Sequence, residues 1–370
     1  MMRRARTALL VTLAASLLAC GQIGPQAGLS RQGDFRAQGL QPRLHEPGEL
    51  ELFVLPEAKD QFLLTALKRA KKVIRLQMYL LTHHGVMDAL MAAKKRGVDV
   101  QVLLDPRSYN PGNPSQPLPT NKRAASYLKK GGVIVHWTSE DYNFTHAKAV
   151  TIDDAVTYVS TANFTKSGLG IGGKYSAREY VIADRSPSDV AEFVAMFKAD
   201  WSHEPYVPQD PDLIVSPNNA RQRIFDLVKS AKREVRLAVE VAADPAFSDL
   251  VAAKVKEGVR VKALLGDHNK IRSNLETAKK WREHGAEVRF QAQPFLHAKA
   301  IVVDGQTMYV GSVNLTSNSM DNNRELGLQI TTPAVVKGVL QTMEGDWVRA
   351  SDTPRYLSDA PFSLLEPILL

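Results

Sequence analysis

Apolar and polar positions recur along this chain in two rhythms, and the order of those rhythms is written twice. Over 58–71, and again over 220–232, apolar residues return at the spacing of an amphipathic helix. Short runs rich in Val, Ile and Leu follow at 73–80 and 234–241 and read as buried strands. The pattern then predicts helices over 86–96 and 247–257, and strands over 98–104 and 259–265. Helices near 122–130 and 275–284 and strands near 133–136 and 287–290 come next. A further strand carries a His-x-Lys phrase, and a last helix ends in Asp-Trp, at Trp201 and at Trp347. Strands alternating with helices predict an α/β fold. Two homologous halves with mainly parallel sheets are expected, packed across a pseudo-two-fold axis.

The repetition holds residue by residue. Ala70 matches Ala231 and Val98 matches Val259 at one constant offset. His146 matches His297 and Asn163 matches Asn314 at a shorter one. Glu179 matches Glu325, and Trp201 matches Trp347, at one shorter again. The first half therefore carries two insertions. A Pro-rich stretch at 108–120 and a Gly-rich stretch at 167–174 have loop compositions and account for them. The expected division is 1–19, 20–47, a first half at 48–207 and a second at 208–370.

The N-terminus departs from this scheme. Arg3, Arg4 and Arg6 precede an apolar run over 8–19 that is too short to span a bilayer, which is the layout of a signal peptide. Cys20, the one cysteine of the chain, follows Leu17-Leu18-Ala19. That phrase resembles a bacterial lipobox, which implies cleavage before Cys20 and lipidation of its thiol. The segment 20–47 then reads as a lipidated tether. The expected destination is the bacterial cell envelope, as an exported, membrane-anchored lipoprotein. A lone cysteine leaves no internal disulfide. The net charge of +8 includes the three leader arginines, so the remainder is modestly basic and suits an anionic substrate or surface.

Candidate chemistry sits in the repeated phrase, FTHAKAVTIDD at 144–154 and FLHAKAIVVDG at 295–305. Strand alternation puts His146 and Lys148 on one face and Ala147 and Ala149 on the other. His297 and Lys299 are placed alike. If the polar faces met across the two-fold, two His, two Lys and two Asp (Asp153 and Asp304) would surround one cleft. Such a set suits phosphodiester chemistry. Imidazole titrates near neutrality, so two of them can divide the work of nucleophile and general acid. Lysines supply positive charge where phosphoryl oxygens gain negative charge, and carboxylates can fix an imidazole tautomer. Nothing spaces His, Cys, Asp and Glu as a metal site requires.

Two HxKxxxxD motifs, each followed by a segment such as Gly311-Ser312-Val313-Asn314, resemble the signature of the phospholipase D superfamily. The first half departs at Ser160-Thr161-Ala162-Asn163, with Ser in place of Gly. The likeness covers roughly 56–347 and implies a phosphohistidine mechanism with no metal and no cofactor. It implies His146 as nucleophile and His297 as acid and base. Lys148, Lys299, Asn163 and Asn314 would hold the non-bridging oxygens, with Thr161 and Ser312 beside them. Glu179 and Glu325, each preceded by Arg, resemble the family's downstream acidic residue. Asp153 and Asp304 join the catalytic set, although a "VDG" phrase also reads as a strand-ending turn.

The superfamily spans phospholipases, phospholipid synthases and nucleases. A lipid anchor points to phospholipid, so head-group hydrolysis to phosphatidic acid and an alcohol is the leading expectation. An exported metal-independent nuclease is the chief rival, with Lys122, Arg123, Lys129, Lys130, Trp137 and Tyr142 as its basic and aromatic residues. A cardiolipin-synthase-like phosphatidyltransferase ranks lower for want of a membrane-spanning run. A silent binding module conflicts with two intact motifs.

Overall fold

The structure, a computed structural model, describes residues 42–108, 119–267 and 271–353. The leader, Cys20, most of the tether and most of the Pro-rich insertion lie outside them.

The first half runs β1 (Leu50–Leu55), α1 (Gln61–Arg69), β2 (Val73–Met78), α2 (His84–Lys95), β3 (Asp99–Leu104), α3 (Thr120–Lys130), β4 (Ile134–Trp137), β5 (Lys148–Ile152), β6 (Val156–Ser160), β7 (Ala177–Asp184) and α4 (Pro187–Ser202). The second half repeats this order. It runs β8 (Leu213–Ser216), α5 (Ala220–Lys229), β9 (Glu234–Val239), α6 (Pro245–Lys256), β10 (Arg260–Gly266), α7 (Arg272–Glu283) and β11 (Glu287–Gln291). It continues through β12 (Phe295–Leu296), β13 (Lys299–Val303), β14 (Thr307–Gly311), α8 (Ser317–Asp321), β15 (Glu325–Ile330) and α9 (Pro333–Arg349). Local signals explain the boundaries. His83 accepts the Val86 N–H at the start of α2, and Asp244 accepts the Phe247 N–H at the start of α6. Different residues at matched positions thus cap the same helix.

Both sheets have one strand order, β4-β3-β2-β5-β6-β7-β1 and β11-β10-β9-β13-β14-β15-β8. In the first sheet β2, β3 and β4 pair parallel, because α2 and α3 carry the chain back between them. β5 pairs antiparallel with β2, and β6, β7 and β1 continue antiparallel. β1, β2, β3, β4 and β6 therefore point one way, and β5 and β7 point against them. The turn from β5 to β6 passes through Asp153 and Asp154, both at positive φ, and so short a link can only return the chain antiparallel.

Among the described residues, most buried apolar side chains gather in three large cores. One lies under α1–α3 on the first sheet, and one under α5–α7 on the second. The third mixes both halves and fills the seam between the sheets. Ala147, Ala149, Ala298, Ala300 and Val302 belong to this seam, whereas Val150, Ile152, Ile301 and Val303 belong to the outer cores. The expectation that the His–Lys faces meet across the seam is therefore corrected. Small alanines line the close contact, and the strand face shared with Lys148 and Lys299 is turned the other way.

Candidate active site

The polar residues converge at strand ends instead. Lys148 opens β5 beside Met78, the last residue of β2, and Lys299 opens β13 beside Val239, the last residue of β9. That edge is the C-terminal edge of the parallel strands, where α/β sheets present ligand crevices. His146 and His297 lie two residues ahead of their strands and leave their own sheets. His146 and Ala147 donate their backbone N–H groups to the Arg324 carbonyl at 2.8 and 3.1 Å. His297 and Ala298 donate theirs to the Arg178 carbonyl at 3.3 and 3.0 Å. Each histidine is thus held by the backbone of the opposite half.

The two arginines are themselves buried and anchored across the seam. Arg178 pairs with Asp346 at 2.7 Å, and Arg324 pairs with Asp200 at 2.7 Å. These are the aspartates of the two Asp-Trp helix ends. Successive strand residues point to opposite sides, so an arginine that faces the helix sends the following glutamate toward the histidine.

That is where both glutamates go. Glu325 Oε2 lies 2.8 Å from His146 Nδ1, and Glu179 Oε1 lies 2.6 Å from His297 Nδ1. A carboxylate on Nδ1 fixes the tautomer and directs Nε2 to the substrate. Burial pushes the His146 imidazole below its ordinary value, with Glu325 opposing. Burial works against an ionised Glu325, but the charge of His146 and the hydrogen bond between them hold it below the usual carboxylate range. Thr161 donates its hydroxyl to Glu179 Oε2 at 2.5 Å, and Asn323 donates to Glu325 Oε1 at 3.0 Å.

Both lysines are buried beside their histidines. Lys148 Nζ donates to the His146 carbonyl at 2.7 Å and stands 5.3 Å from the centre of the Tyr79 ring. Burial, then the like charge of Lys299, lowers the Lys148 ammonium to about 7. Lys299 Nζ donates to the His297 carbonyl at 2.5 Å and to Glu240 Oε2 at 2.7 Å.

Glu240, like Tyr79 and Asn323, is a site residue that sequence reading misses. Its Oε2 also accepts from Asn314 Nδ2 at 3.3 Å and lies 3.6 Å from His297 Nε2. Burial opposes its ionisation, but the positive charges of His297 and Lys299 win and hold it at about 2. Its counterpart in the first half is Tyr79, whose ring meets the His146 ring edge-on at 4.7 Å. A charged residue ending an apolar strand, opposite an aromatic one in the matched copy, was the available signal.

Several expected residues are placed elsewhere. Asp153 and Asp304 stand at the far ends of β5 and β13, about 3.3 Å per residue away from the lysines along the strand. Asp153 accepts backbone N–H groups from Lys71, Lys72 and Val73, and Asp304 from Lys232, Arg233 and Glu234. Those N–H groups lower both carboxyls against the opposing effect of burial. The two aspartates, expected in the catalytic set, thus tie the turns after β5 and β13 to the starts of the neighbouring strands β2 and β9. Ser312 spends its hydroxyl on the backbone of Leu326, donating to its carbonyl and accepting its N–H. Asn163 is buried at the position that matches Asn314. Away from the histidines, Asp189, Asp210 and Asp212 gather near His45, and Arg43 pairs with all three.

Paired imidazoles oriented through Nδ1, two ammonium groups and amide donors at one crevice can take a phosphodiester apart by nucleophilic attack with proton transfer. The family described as cardiolipin synthase, PLD-like domain, matches residues 63–201 and again 224–347. The chain belongs to the phospholipase D superfamily. A cardiolipin synthase of Oceanobacillus iheyensis is 25% identical over 351 residues, covering 84% of this chain and 71% of the relative. A probable cardiolipin synthase of Bacillus subtilis is 21% identical over 340 residues, covering 79% of this chain and 65% of the relative. Among solved structures, the phosphatidylserine synthase of Haemophilus influenzae superposes with a TM-score of 0.65 at 16% identity. The alignment covers 87% of this chain and 92% of that one, and shows the fold.

As a member of this superfamily the protein is assigned phosphodiester chemistry. Its curated relatives favour the phosphatidyltransferase alternative over head-group hydrolysis, and they lend the nuclease alternative nothing. They also correct the expected destination. Their names are those of cardiolipin synthases, so the exported-lipoprotein destination is not carried forward. Among the described residues, no helix is long and apolar enough to cross a membrane.

Proposed function

We propose that this protein is a phosphatidyltransferase of the cardiolipin-synthase kind, which passes a phosphatidyl group through a phosphohistidine to an alcohol. The observation that supports it is the pair of carboxylate–imidazole contacts, Glu325 on His146 and Glu179 on His297, which engage both rings through Nδ1 and turn both Nε2 atoms away from these carboxylates. The names of the relatives support the acceptor.

In this reading His146 Nε2 attacks phosphorus, and the bond to the leaving alcohol breaks as that oxygen takes the proton of His297 Nε2. The packing of Tyr79 against His146 and burial of its ring favour the neutral, nucleophilic imidazole there. Lys148, Lys299 and the two asparagines carry the charge that builds on the non-bridging oxygens. An incoming hydroxyl then gives its proton to His297 and displaces the histidine from phosphorus. Cardiolipin is two phosphatidyl groups on one glycerol, so the acceptor for its synthesis is a hydroxyl of phosphatidylglycerol.

Incubating the purified protein with phosphatidylglycerol vesicles in the presence of a chelator tests this. Mass spectrometry should find cardiolipin and free glycerol in equal amounts. Phosphatidic acid as the only lipid product would restore the hydrolase.

A further inference from the structure

Glu240 occupies an unusual place for a carboxylate. Its Oε2 makes contact with three groups at once, Lys299 Nζ at 2.7 Å, Asn314 Nδ2 at 3.3 Å and His297 Nε2 at 3.6 Å. Lysine, amide and imidazole are the donors a phosphoryl oxygen needs, so the protein supplies its own anion to half of its phosphate site. The matched position in the first half is Tyr79, which brings no charge.

We propose that Glu240 is a specificity-determining residue that fixes the charge of the substrate: its carboxylate admits monoanionic phosphodiesters and turns away dianionic phosphomonoesters. This rests on the phosphatidyltransfer reading and deepens it. A phosphodiester carries one negative charge, whereas a monoester carries nearly two above its second pKa of about 6. Repulsion in a buried site scales with the charge of the ligand, so the second charge is penalised as heavily as the first. Two lysines alone would reward that second charge. With Glu240 beside Lys299, the reward is cancelled in the second half of the site. For a transferase this has a use. Any phosphomonoester formed by stray hydrolysis of the phosphohistidine is expelled rather than held as an inhibitor.

The test compares two near-isosteric probes at pH 7, dimethyl phosphate (one charge) and methyl phosphate (nearly two charges), by calorimetry on the protein and on Glu240→Gln. In the wild type methyl phosphate should bind no tighter than dimethyl phosphate. In the variant both should tighten, dimethyl phosphate about 10-fold and methyl phosphate about 100-fold, because the dianion feels the lost charge twice. Equal factors for the two probes, no change, or weaker binding of both would overturn the proposal and leave Glu240 as a support for Lys299. A wild type that already prefers the dianion by tenfold or more would overturn it without any variant. Turnover of phosphatidylglycerol by the wild type is scored separately. Its absence would count against the phosphatidyltransfer reading, while the two probe affinities would still decide the role of Glu240.

Discussion

Glu325, carried by the second half, holds Nδ1 of His146, carried by the first, at 2.8 Å. The reciprocal contact, Glu179 to His297 at 2.6 Å, makes each imidazole dependent on a residue more than a hundred positions away in the chain. Replacing either glutamate with Gln keeps the shape but offers an amide donor to Nδ1 and favours the wrong tautomer. Glu325→Gln and Glu179→Gln should each lower kcat by about 10²–10⁴-fold with little change in Tm. Steady-state kinetics on a soluble aryl phosphodiester, alongside thermal melts, checks both.

The histidines should differ under an activated substrate. With a good leaving group the general acid is dispensable, but the nucleophile is not. His146→Ala should abolish turnover. His297→Ala should still form the covalent intermediate and then release it slowly. Acid quench and mass spectrometry should place the phosphoryl adduct on His146. An adduct on His297 would reverse the assignment.

Lys148 sets an alkaline limit. Its ammonium is lowered by burial and by Lys299 to about 7, and in the proposed reaction the charged form is the one that holds phosphoryl oxygens. kcat/KM should therefore fall as the pH rises through about 7. Lys148→Arg keeps its charge at every accessible pH, so in whatever activity it retains this limb should vanish. Stability should run in the opposite direction. Between about 7 and 10.5 the unfolded chain still binds a proton that the native lysine has released, so the fold gains stability as pH increases.

The cross-seam ion pairs are structural. Asp200→Ala takes the carboxylate from the buried guanidinium of Arg324, and Asp346→Ala leaves Arg178 with Glu57 as its charged partner among the described residues. Asp200→Ala should cost about 3–5 kcal/mol. Adding Arg324→Met to it should recover much of that loss, as read by denaturant unfolding.

Asp153→Asn should separate fold from chemistry. It weakens a carboxylate that accepts three backbone N–H groups in a left-handed turn that Asn tolerates. A loss of about 1–2 kcal/mol with kcat retained is the expected pairing. A large fall in kcat at unchanged stability would return Asp153 to the catalytic set.

What the sequence revealed depended on range. His146, Lys148, His297 and Lys299 were legible because a phrase of a few residues repeats intact, and the α/β order because helix and strand periods are local. The face that meets the seam was not legible. Strand alternation separates Lys148 from Ala149, but which set packs against the partner sheet depends on how closely two backbones approach, and alanine allows the closer approach. Asp153 and Asp304 travel with the motif in sequence, yet a strand of five residues carries them to the opposite edge of the sheet. Glu179 and Glu325 were found but given to the substrate, because their partners are histidines of the other half. Glu240 went unseen because it departs from the repeat instead of sharing in it.

That departure has a consequence for how such a site can exist at all. Two identical subunits related by a true dyad must show the same residue at both copies of a position, so a dyad-related pair offers Tyr twice or Glu twice. Tyr79 and Glu240 on one continuous polypeptide escape that constraint. Covalent linkage of the halves lets mutation act on one copy and spare the other, and an order of events, attack from one side and protonation from the other, can be written into the primary structure.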